Sequence, residues 1–376
     1  MSLGAVAIAI GTAACTPPPA ALPSCPARQE VQLEPADPVT FSLPRAVSSN
    51  GRWILISRAI DGQLVVSVRT AVTGSAPTVV GEMPQSAFTS SPPWASVADD
   101  GTSAAFGVAG GPLYRWERGT GAAEAVAAPA VVDPPPGVPS PAHLADLSTD
   151  GRRAMWVQGF FVDETAGQPY SWSYVLSVTD IASAAIVLQR PVDLADTSPA
   201  MSTGGSTLTT RTDLIDVDSG VMAPLAPAVA QLLDEYPVAP FAPVNSSDNG
   251  RFTLFMRIDD GTGGINMVTY VVYDHASGSW SEVARATDLI GVELVADDGA
   301  VVYVRGDAPA ISILARAADG TRHQVVSTVL NPTYPVIDPR RPLTHHWAMT
   351  SSDGRTVLYS AQVPVLGSRL TASRCS

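Results

Sequence analysis

The stretch Ser148-Thr149-Asp150-Gly151-Arg152 leads into the apolar run 154–157, and this combination recurs along the chain. Polar runs that end in Asn-Gly, Asp-Gly or Gly-Gly occur at Asn50-Gly51, Asp100-Gly101, Asp150-Gly151, Gly204-Gly205, Asn249-Gly250, Asp298-Gly299 and Asp353-Gly354. Neighbouring turns are 45 to 55 residues apart. A period in this range indicates a repeat architecture, in which each repeat is one supersecondary unit.

Each repeat has the pattern of two β-hairpins. Asx-Gly pairs provide the positive φ angles of a two-residue hairpin turn, and apolar runs flank them on both sides. Most repeats then contain a second hairpin, such as residues 174–178 before the turn at Ala182-Ser183. The fourth repeat is the weakest, and only residues 226–236 have a helical pattern. The sequence therefore predicts an all-β, seven-bladed β-propeller of four-stranded antiparallel blades.

The turns also resemble those of a known repeat family. The segments 48–52, 148–152, 246–251 and 351–355 resemble the Ser-x-Asp-Gly-Arg turn of TolB-like (WD-repeat-like) β-propellers. The resemblance covers roughly residues 40–375 and implies the propeller fold. TolB has six blades where this sequence has seven repeats. By analogy with that family, the resemblance also implies a protein partner.

The amino terminus resembles an export signal. Residues 3–14 form an apolar run too short to span a bilayer and suited to a secretory signal, and Thr12-Ala13-Ala14-Cys15 resembles a bacterial lipobox. We expect a signal peptide at 1–14, a lipidated Cys15 with a Pro-rich tether at 15–28, and the propeller at 29–376. This predicts a bacterial lipoprotein that is exported and anchored by lipid at the cell membrane or outer envelope, on the extracytoplasmic side. An ordinary cleaved signal peptide is the alternative.

The remaining two cysteines flank the repeats. If Cys15 is lipidated, Cys25 and Cys375 are left as a pair. The last repeat lacks a fourth strand, and the alternating segment 29–33 is available to supply it. We expect this strand to close the ring and a Cys25–Cys375 disulfide to link the two ends. Two unrelated buried thiols are the alternative.

Composition limits the partners. The formal net charge is −13, and nucleic acids and anionic membrane surfaces select basic proteins. We therefore expect no nucleic-acid partner and no membrane contact except through the N-terminal lipid. Because each repeat packs only against its neighbours, one closed domain fits better than two separate domains. We expect a monomer.

The long connections predict where a ligand binds. In a four-stranded blade, the Asx-Gly turns lie on one face of the ring, while the second–third loops and the links between blades lie on the other. The long segments belong to this second face, and long loops on a rigid scaffold commonly carry binding sites. The predicted binding residues on that face are Phe160, Phe161, Tyr170, Trp172, Trp94, Tyr334, Arg340, Arg341, His345 and His346. The alternative is that the aromatic side chains cap loops onto the blades below.

Motifs for catalysis and metal binding are absent from the sequence. It contains no Gly-x-Ser-x-Gly, His-Glu-x-x-His, Cys-x-x-Cys or Gly-x-x-x-x-Gly-Lys motif. The acidic runs near Asp216 and Asp259 match repeat turns better than calcium loops, so we expect no metal and no cofactor. These features favour a non-catalytic protein- or peptide-binding module at the cell envelope. An extracytoplasmic glycoside hydrolase or lyase with acids at the channel mouth, for example Asp146 with Glu293, is the alternative, and a propeller that only displays loops is a third.

Overall fold

The described part of the chain covers most of the repeats. The computed structural model describes residues 28–33, 42–61, 63–72, 74–84, 93–108, 112–162, 171–192, 199–235, 242–259, 267–286, 289–307, 310–316, 322–329, 348–351, 356–363 and 367–375. The fold is an all-β propeller with four-stranded antiparallel blades. These residues contain no helix long and apolar enough to cross a membrane.

The strands of the described residues form seven antiparallel sheets, which we number in chain order. Sheets 1 and 2 contain β2 (Ser42–Val47), β3 (Trp53–Ile60), β4 (Gln63–Thr70), β5 (Thr78–Pro84), β6 (Pro93–Val97), β7 (Ser103–Val108), β8 (Leu113–Glu117) and β9 (Glu124–Val126). Sheet 3 contains β10 (Val138–Pro139), β11 (His143–Leu147), β12 (Arg153–Val162), β13 (Ser171–Asp180) and β14 (Ile186–Val192). Sheet 4 has the shortest strands, β15 (Ala200–Met201), β16 (Thr207–Thr209), β17 (Asp213–Asp216) and β18 (Met222–Pro224).

The second half of the chain continues the pattern. The helix α1 (Ala226–Glu235) links sheet 4 to sheet 5 and is where the sequence predicts a helix. Sheets 5 and 6 contain β19 (Ala242–Ser246), β20 (Phe252–Asp259), β21 (Met267–Asp274), β22 (Ser279–Ala286), β23 (Leu289–Val295), β24 (Val301–Asp307), β25 (Ala310–Arg316) and β26 (Arg322–Val329). Sheet 7 contains β27 (Ala348–Thr350), β28 (Thr356–Val363) and β29 (Gly367–Cys375), together with β1 (Arg28–Gln32) from the amino-terminal end of the described chain.

The sheets contact one another in chain order and then return to the start. The first strand of a repeat packs against the first strand of the next sheet in the pairs β2 with β6, β6 with β11, β11 with β15, β15 with β19, β23 with β27 and β27 with β2. Sheets 5 and 6 meet through the pair β20 with β23. The first strand of each repeat therefore lies on the inner side, and sheet 7 is next to sheet 1.

The two ends of the described chain are joined by strand pairing. β1 pairs antiparallel with β29, with Arg28 opposite Cys375 and Val31 opposite Ala372. The prediction that residues 29–33 complete the last repeat is confirmed. Cys25 and Cys15 lie outside the described residues, as does the side chain of Cys375, so the disulfide and the lipid anchor stay predictions.

The repeated turns are held by the same local hydrogen bonds. In sheet 3, Ser148 Oγ donates to Asp150 Oδ1 at 2.6 Å and accepts from Arg153 N at 2.9 Å. Gly151 takes a φ of 72°, in the left-handed region where a side chain is strained. Ser48 and Ser247 make the same pair of contacts in sheets 1 and 5. The serine that opens each of these turns therefore orients both the acid or amide and the following strand.

Apolar residues from adjacent sheets form shared cores. Leu55 and Val66 of sheet 1 pack with Phe106 and Trp116 of sheet 2. The same arrangement joins sheets 3 and 4, where Leu176 lies in one cluster with Leu208 and Ile215. Each sheet thus buries its apolar face against its neighbour, which is why an isolated repeat would not fold alone.

Candidate binding surface on sheet 3

The two longest paired strands of sheet 3 extend the sheet toward the predicted binding face. β12 and β13 each contain 10 residues and pair along their whole length, from Arg153 opposite Asp180 to Val162 opposite Ser171. The short strand β10 adds to their outer end, with Val138 opposite Phe161. Because β12 and β13 are the second and third strands of their repeat, their paired ends at Val162 and Ser171 are directed toward the face predicted to bind a ligand.

Apolar side chains form a row across these three strands. Val138, Phe161 and Trp172 are direct cross-strand neighbours, and cross-strand neighbours point to the same face of a sheet. The rings of Phe161 and Trp172 are 5.1 Å apart at an interplanar angle of 49°. Tyr174, two residues along β13 from Trp172, stacks on it at 6.0 Å and 17°. We call Val138, Phe161, Trp172 and Tyr174 the sheet 3 row.

The row is accessible to solvent. Val138 is 68% exposed and Trp172 is 47% exposed, and both are among the exposed large hydrophobic residues of the described chain. Phe161 and Tyr174 are half-buried. A Trp side chain that keeps nearly half of its surface in water while contacting two neighbouring rings is typical of recognition surfaces, where aromatic residues are enriched.

A glycine allows the rings to lie on the sheet. Gly159 is opposite Tyr174 on β12, and a Cβ atom added there would lie 3.1 Å from Trp172 Cε3 and 3.2 Å from Tyr174 Cε1. Its backbone is also anchored, because Ser140 Oγ accepts from Gly159 N at 3.1 Å and Ser140 N donates to Gly159 O at 2.8 Å. The missing side chain and the Ser140 contacts together place the row at a defined position.

The structure separates the predicted binding residues. Phe161 and Trp172 are together in the sheet 3 row, whereas Phe160 faces the other side of β12 and is only 3% exposed. Trp94 lies in β6 opposite Gly107, and its side chain is outside the described residues. The remaining predicted residues, Tyr170, Tyr334, Arg340, Arg341, His345 and His346, also lie outside the described residues.

Two members of the row were not predicted from sequence as binding residues. The sequence places Tyr174 in a strand before the turn at Ala182-Ser183, and it gives no indication that Val138 belongs to a binding surface. The alternation of Trp172 and Tyr174 along one strand could have identified Tyr174 as a neighbour of Trp172. No local pattern identifies Val138, because its place in the row depends on pairing with Phe161, 23 residues away in the sequence.

The predicted channel acid Asp146 has a different environment. It follows a bulge in β11, where its Oδ1 accepts from Leu147 N at 2.8 Å and its Oδ2 accepts from Met201 N at 2.9 Å. Burial of the carboxyl group raises the pKa of Asp146 to about 7. Because both oxygens are bound to backbone N–H groups, Asp146 links β11 to β15 of the next sheet. The side chain of Glu293 lies outside the described residues.

Metal ligands are not assembled in the described part of the chain. No group of three or more His, Cys, Asp or Glu side chains there is placed to hold an ion. The charged side chains instead form isolated pairs, such as Arg251 with Asp274 at 2.9 Å.

Comparisons with known proteins identify structures with a similar fold but do not identify a family. No family model and no curated protein matches the chain. Among solved structures, an oligogalacturonate lyase in complex with manganese matches with a TM-score of 0.53 and 13% identity over 93% of this chain and 98% of that one. The oligogalacturonate lyase of Vibrio parahaemolyticus matches with a TM-score of 0.53 and 11% identity over 94% and 92%.

TolB itself is also among the similar structures. TolB from Acinetobacter baumannii matches with a TM-score of 0.36 and 12% identity over 74% of this chain and 61% of that one. At these identities the likeness concerns the fold alone. The likeness to the two oligogalacturonate lyases agrees with the β-propeller architecture, and the site must be interpreted from its own residues.

Proposed function

We propose that this chain is a non-catalytic binding module that docks an extended polypeptide on the sheet 3 row. The observation that carries the proposal is the exposed alignment of Val138, Phe161, Trp172 and Tyr174 on three paired strands. Aromatic surfaces of this kind bind extended segments in which proline and aliphatic side chains lie against the rings.

The chemistry of the surroundings favours a polypeptide over a sugar. Two of the four members, Val138 and Phe161, offer a ligand no polar atom, and Gly159 offers only its backbone. A sugar ring needs side-chain donors and acceptors for its hydroxyl groups in addition to a stacking surface. The net charge of −13 further favours a neutral or basic segment over an acidic one.

The location of the module is a second part of the proposal. The apolar run 3–14 and the sequence around Cys15 support export and a lipid anchor, which would present the propeller on the extracytoplasmic side of the envelope. In that setting the Pro-rich segment 15–28 would tether the propeller to the membrane. Replacing Cys15 by Ala is expected to release the protein from the membrane fraction.

Peptide display on the purified full chain tests the binding function. Selected peptides are expected to contain proline and aliphatic residues, and Trp172→Ala is expected to lower their affinity at least tenfold, as at other aromatic hot spots. Val221→Ala is the control, because Val221 is 64% exposed and lies just before β18, away from sheet 3. Equal affinity of both variants, or the absence of any selected peptide, contradicts the proposal.

The fold likeness to oligogalacturonate lyases supports a second candidate, an extracytoplasmic polysaccharide lyase or hydrolase. The likeness covers at least 92% of each of those two chains. Two observations weigh against it: both oxygens of Asp146 are bound to backbone N–H groups, and a protein of charge −13 repels an anionic oligosaccharide. Turnover in an oligogalacturonate and neutral glycan panel, lost in Asp146→Asn and kept in Trp172→Ala, would favour the enzyme.

A further inference from the structure

Hydrogen bonds between successive turns join the sheets on the Asx-Gly face. Asn50 N donates to Asp99 Oδ1 at 2.8 Å, and Asn50 Nδ2 donates to the Asp99 carbonyl oxygen at 2.8 Å. Asn249 makes the same two contacts with Asp297 at 2.9 Å and 3.1 Å. Between sheets 4 and 5, Gly204 N donates to Asp248 Oδ1 at 2.6 Å. We call these contacts between one turn and the next the seam contacts.

The residue types at the seams follow one rule. The three acids that accept a seam contact, Asp99, Asp248 and Asp297, each follow a turn whose donating residue is uncharged. Four turns have an acid at the donating position, and in the sequence the accepting position of the next turn is then Ser or Thr. These pairs are Asp100 with Thr149, Asp150 with Thr203, Asp298 with Ser352, and Asp353 of the last repeat with Ser49 of the first. No acid at the donating position is thus matched with an acid at the accepting position of the next turn, which avoids repulsion between these two side chains.

The amide group is what distinguishes Asn50 from an acid at the same position. Asn50 Oδ1 accepts from Ser48 Oγ at 2.9 Å and from Arg52 N at 3.0 Å, as Asp150 Oδ1 accepts from Ser148 Oγ and Arg152 N in sheet 3. Either residue type can therefore complete its own turn. Only the amide nitrogen can donate to the carbonyl oxygen of the next turn, because a carboxylate has no donor.

The two donating amides are also the two Asn-Gly pairs of the sequence, Asn50-Gly51 and Asn249-Gly250, and both asparagines are exposed. Because glycine has no side chain, its backbone nitrogen can approach the neighbouring amide carbon without hindrance. In the folded protein, however, Gly51 N is bound to Ser48 O at 2.8 Å, and Gly250 N is bound to Ser247 O at 3.0 Å. The seam contacts thus hold each amide group while the turn holds the attacking nitrogen.

We propose that Asn50 and Asn249 are deamidation sites whose reaction rate the seam contacts restrain, and that the reaction removes the side-chain donor from the seams between sheets 1 and 2 and between sheets 5 and 6. The glycine nitrogen attacks the asparagine Cγ, ammonia leaves, and water opens the resulting five-membered imide to aspartate or isoaspartate. In the aspartate product a carboxylate stands where the amide nitrogen donated to the carbonyl oxygen of Asp99 or Asp297. In the isoaspartate product the former side-chain carbon becomes part of the main chain. Neither product has the donor, so this contact does not form again.

The experiment follows both sites in one protein. The purified full chain is incubated at mildly alkaline pH and digested with trypsin, and the deamidated fraction is measured by mass spectrometry in the peptides that end at Arg52 and Arg251. Asp99→Ala removes the acceptor of Asn50 N and is expected to raise the rate at Asn50 about tenfold, as for loss of a hydrogen bond to a charged group, while Asn249 keeps its rate. Asp297→Ala is expected to give the reverse.

Each variant contains its own control, because the unaltered site reports on general unfolding. Melting curves establish that both variants are folded at the incubation temperature. If both sites accelerate together, or if neither variant changes the rate at its own site, the seam contacts do not control deamidation and the proposal is wrong. If Asn50 and Asn249 stay amidated in all three proteins, the proposal is likewise wrong.

Discussion

Trp172 lies directly opposite Phe161 in the pairing of β12 with β13, and their ring centroids are 5.1 Å apart. Trp172 remains 47% exposed in this arrangement, so the contact orients the indole without burying it. A ligand that covers the indole therefore meets a surface whose orientation is already set. Such preorganisation lowers the entropic cost of binding.

The glycine beneath the rings provides a test that leaves every contacting side chain unchanged. Gly159→Val is expected to push Trp172 and Tyr174 off the sheet, because even a Cβ atom would lie 3.1 Å from one ring and 3.2 Å from the other. We expect peptide affinity to fall about tenfold, measured by calorimetry with a peptide selected on the wild type. Gly159→Ala, which adds only the Cβ atom, is expected to have a smaller effect. An unchanged affinity in the Val variant would show that the ring positions do not matter.

Closure of the ring depends on apolar contacts made by the first described residues. Leu33 is 5% exposed and packs in one cluster with Ile54, Leu358 and Leu370, and its backbone N donates to Leu370 O at 3.0 Å. Leu33→Ala is expected to lower the free energy of unfolding by about 2–4 kcal/mol, the usual cost of a truncated core leucine. Chemical denaturation measures the change. Val132→Ala, at a side chain that is 67% exposed, should change it by less than about 0.5 kcal/mol.

The rule at the seams predicts a pairwise rescue. Asn50→Asp replaces the donor that reaches the Asp99 carbonyl oxygen with a carboxylate, and we expect a loss of about 1–2 kcal/mol at neutral pH. Asp99→Ser should cost less on its own, since Ser or Thr occupies this position at other seams. The double variant should recover part of the loss in Asn50→Asp, as a double-mutant cycle measured by denaturation would show. Strict additivity of the two changes would contradict the rule.

Asp146 gives the protein a pH dependence of known sign. Its pKa is raised to about 7 by burial, so the protonated form favours the folded state. The contribution of Asp146 to stability is full below its unfolded pKa of about 3.9 and is lost as the pH rises through about 7. Relative to Asp146→Asn, the wild type should therefore lose about 2–4 kcal/mol of unfolding free energy between these limits. Denaturation curves at several pH values measure this difference.

Asp274 provides the opposite case. Its hydrogen bond from Arg251 lowers the pKa of Asp274 well below its usual range, so its contribution is present above the unfolded pKa and is lost as the pH falls. Asp274→Asn should therefore differ most from the wild type at neutral pH and least in acid. If both variants showed the same sign of pH dependence, the assigned environment of Asp146 would be wrong.

The sequence predicts the repeats well because their signals are local. Ser148, Asp150 and Gly151 form a turn whose hydrogen bonds lie within a few residues, and the antiparallel four-stranded blades and the closing strand are where the pattern indicates. The sheet 3 row could be predicted only in part. The sequence shows that Phe161 and Trp172 are aromatic. The exposure of Trp172 and the burial of Phe160 depend on which face of the paired strands β12 and β13 packs inward.

Contacts between segments that are distant in the chain could not be predicted from the sequence. Asp146 was interpreted as a channel acid, whereas its carboxylate accepts from Met201 N of the next sheet, 55 positions along the chain. The same holds for Val138, whose place beside Phe161 requires the pairing of β10 with β12. Only the three-dimensional arrangement of the sheets brings these groups together.

Hydrogen–deuterium exchange of the full chain, with and without a selected peptide, tests the central claim most directly. The account predicts that the peptide slows exchange in β10 and in the outer ends of β12 and β13, around Phe161 and Trp172, with no change at the Asx-Gly turns such as 148–152. The same footprint should vanish in Trp172→Ala. Protection confined to the turn face, or to other sheets with sheet 3 unchanged, would contradict the assignment of the sheet 3 row as the binding surface.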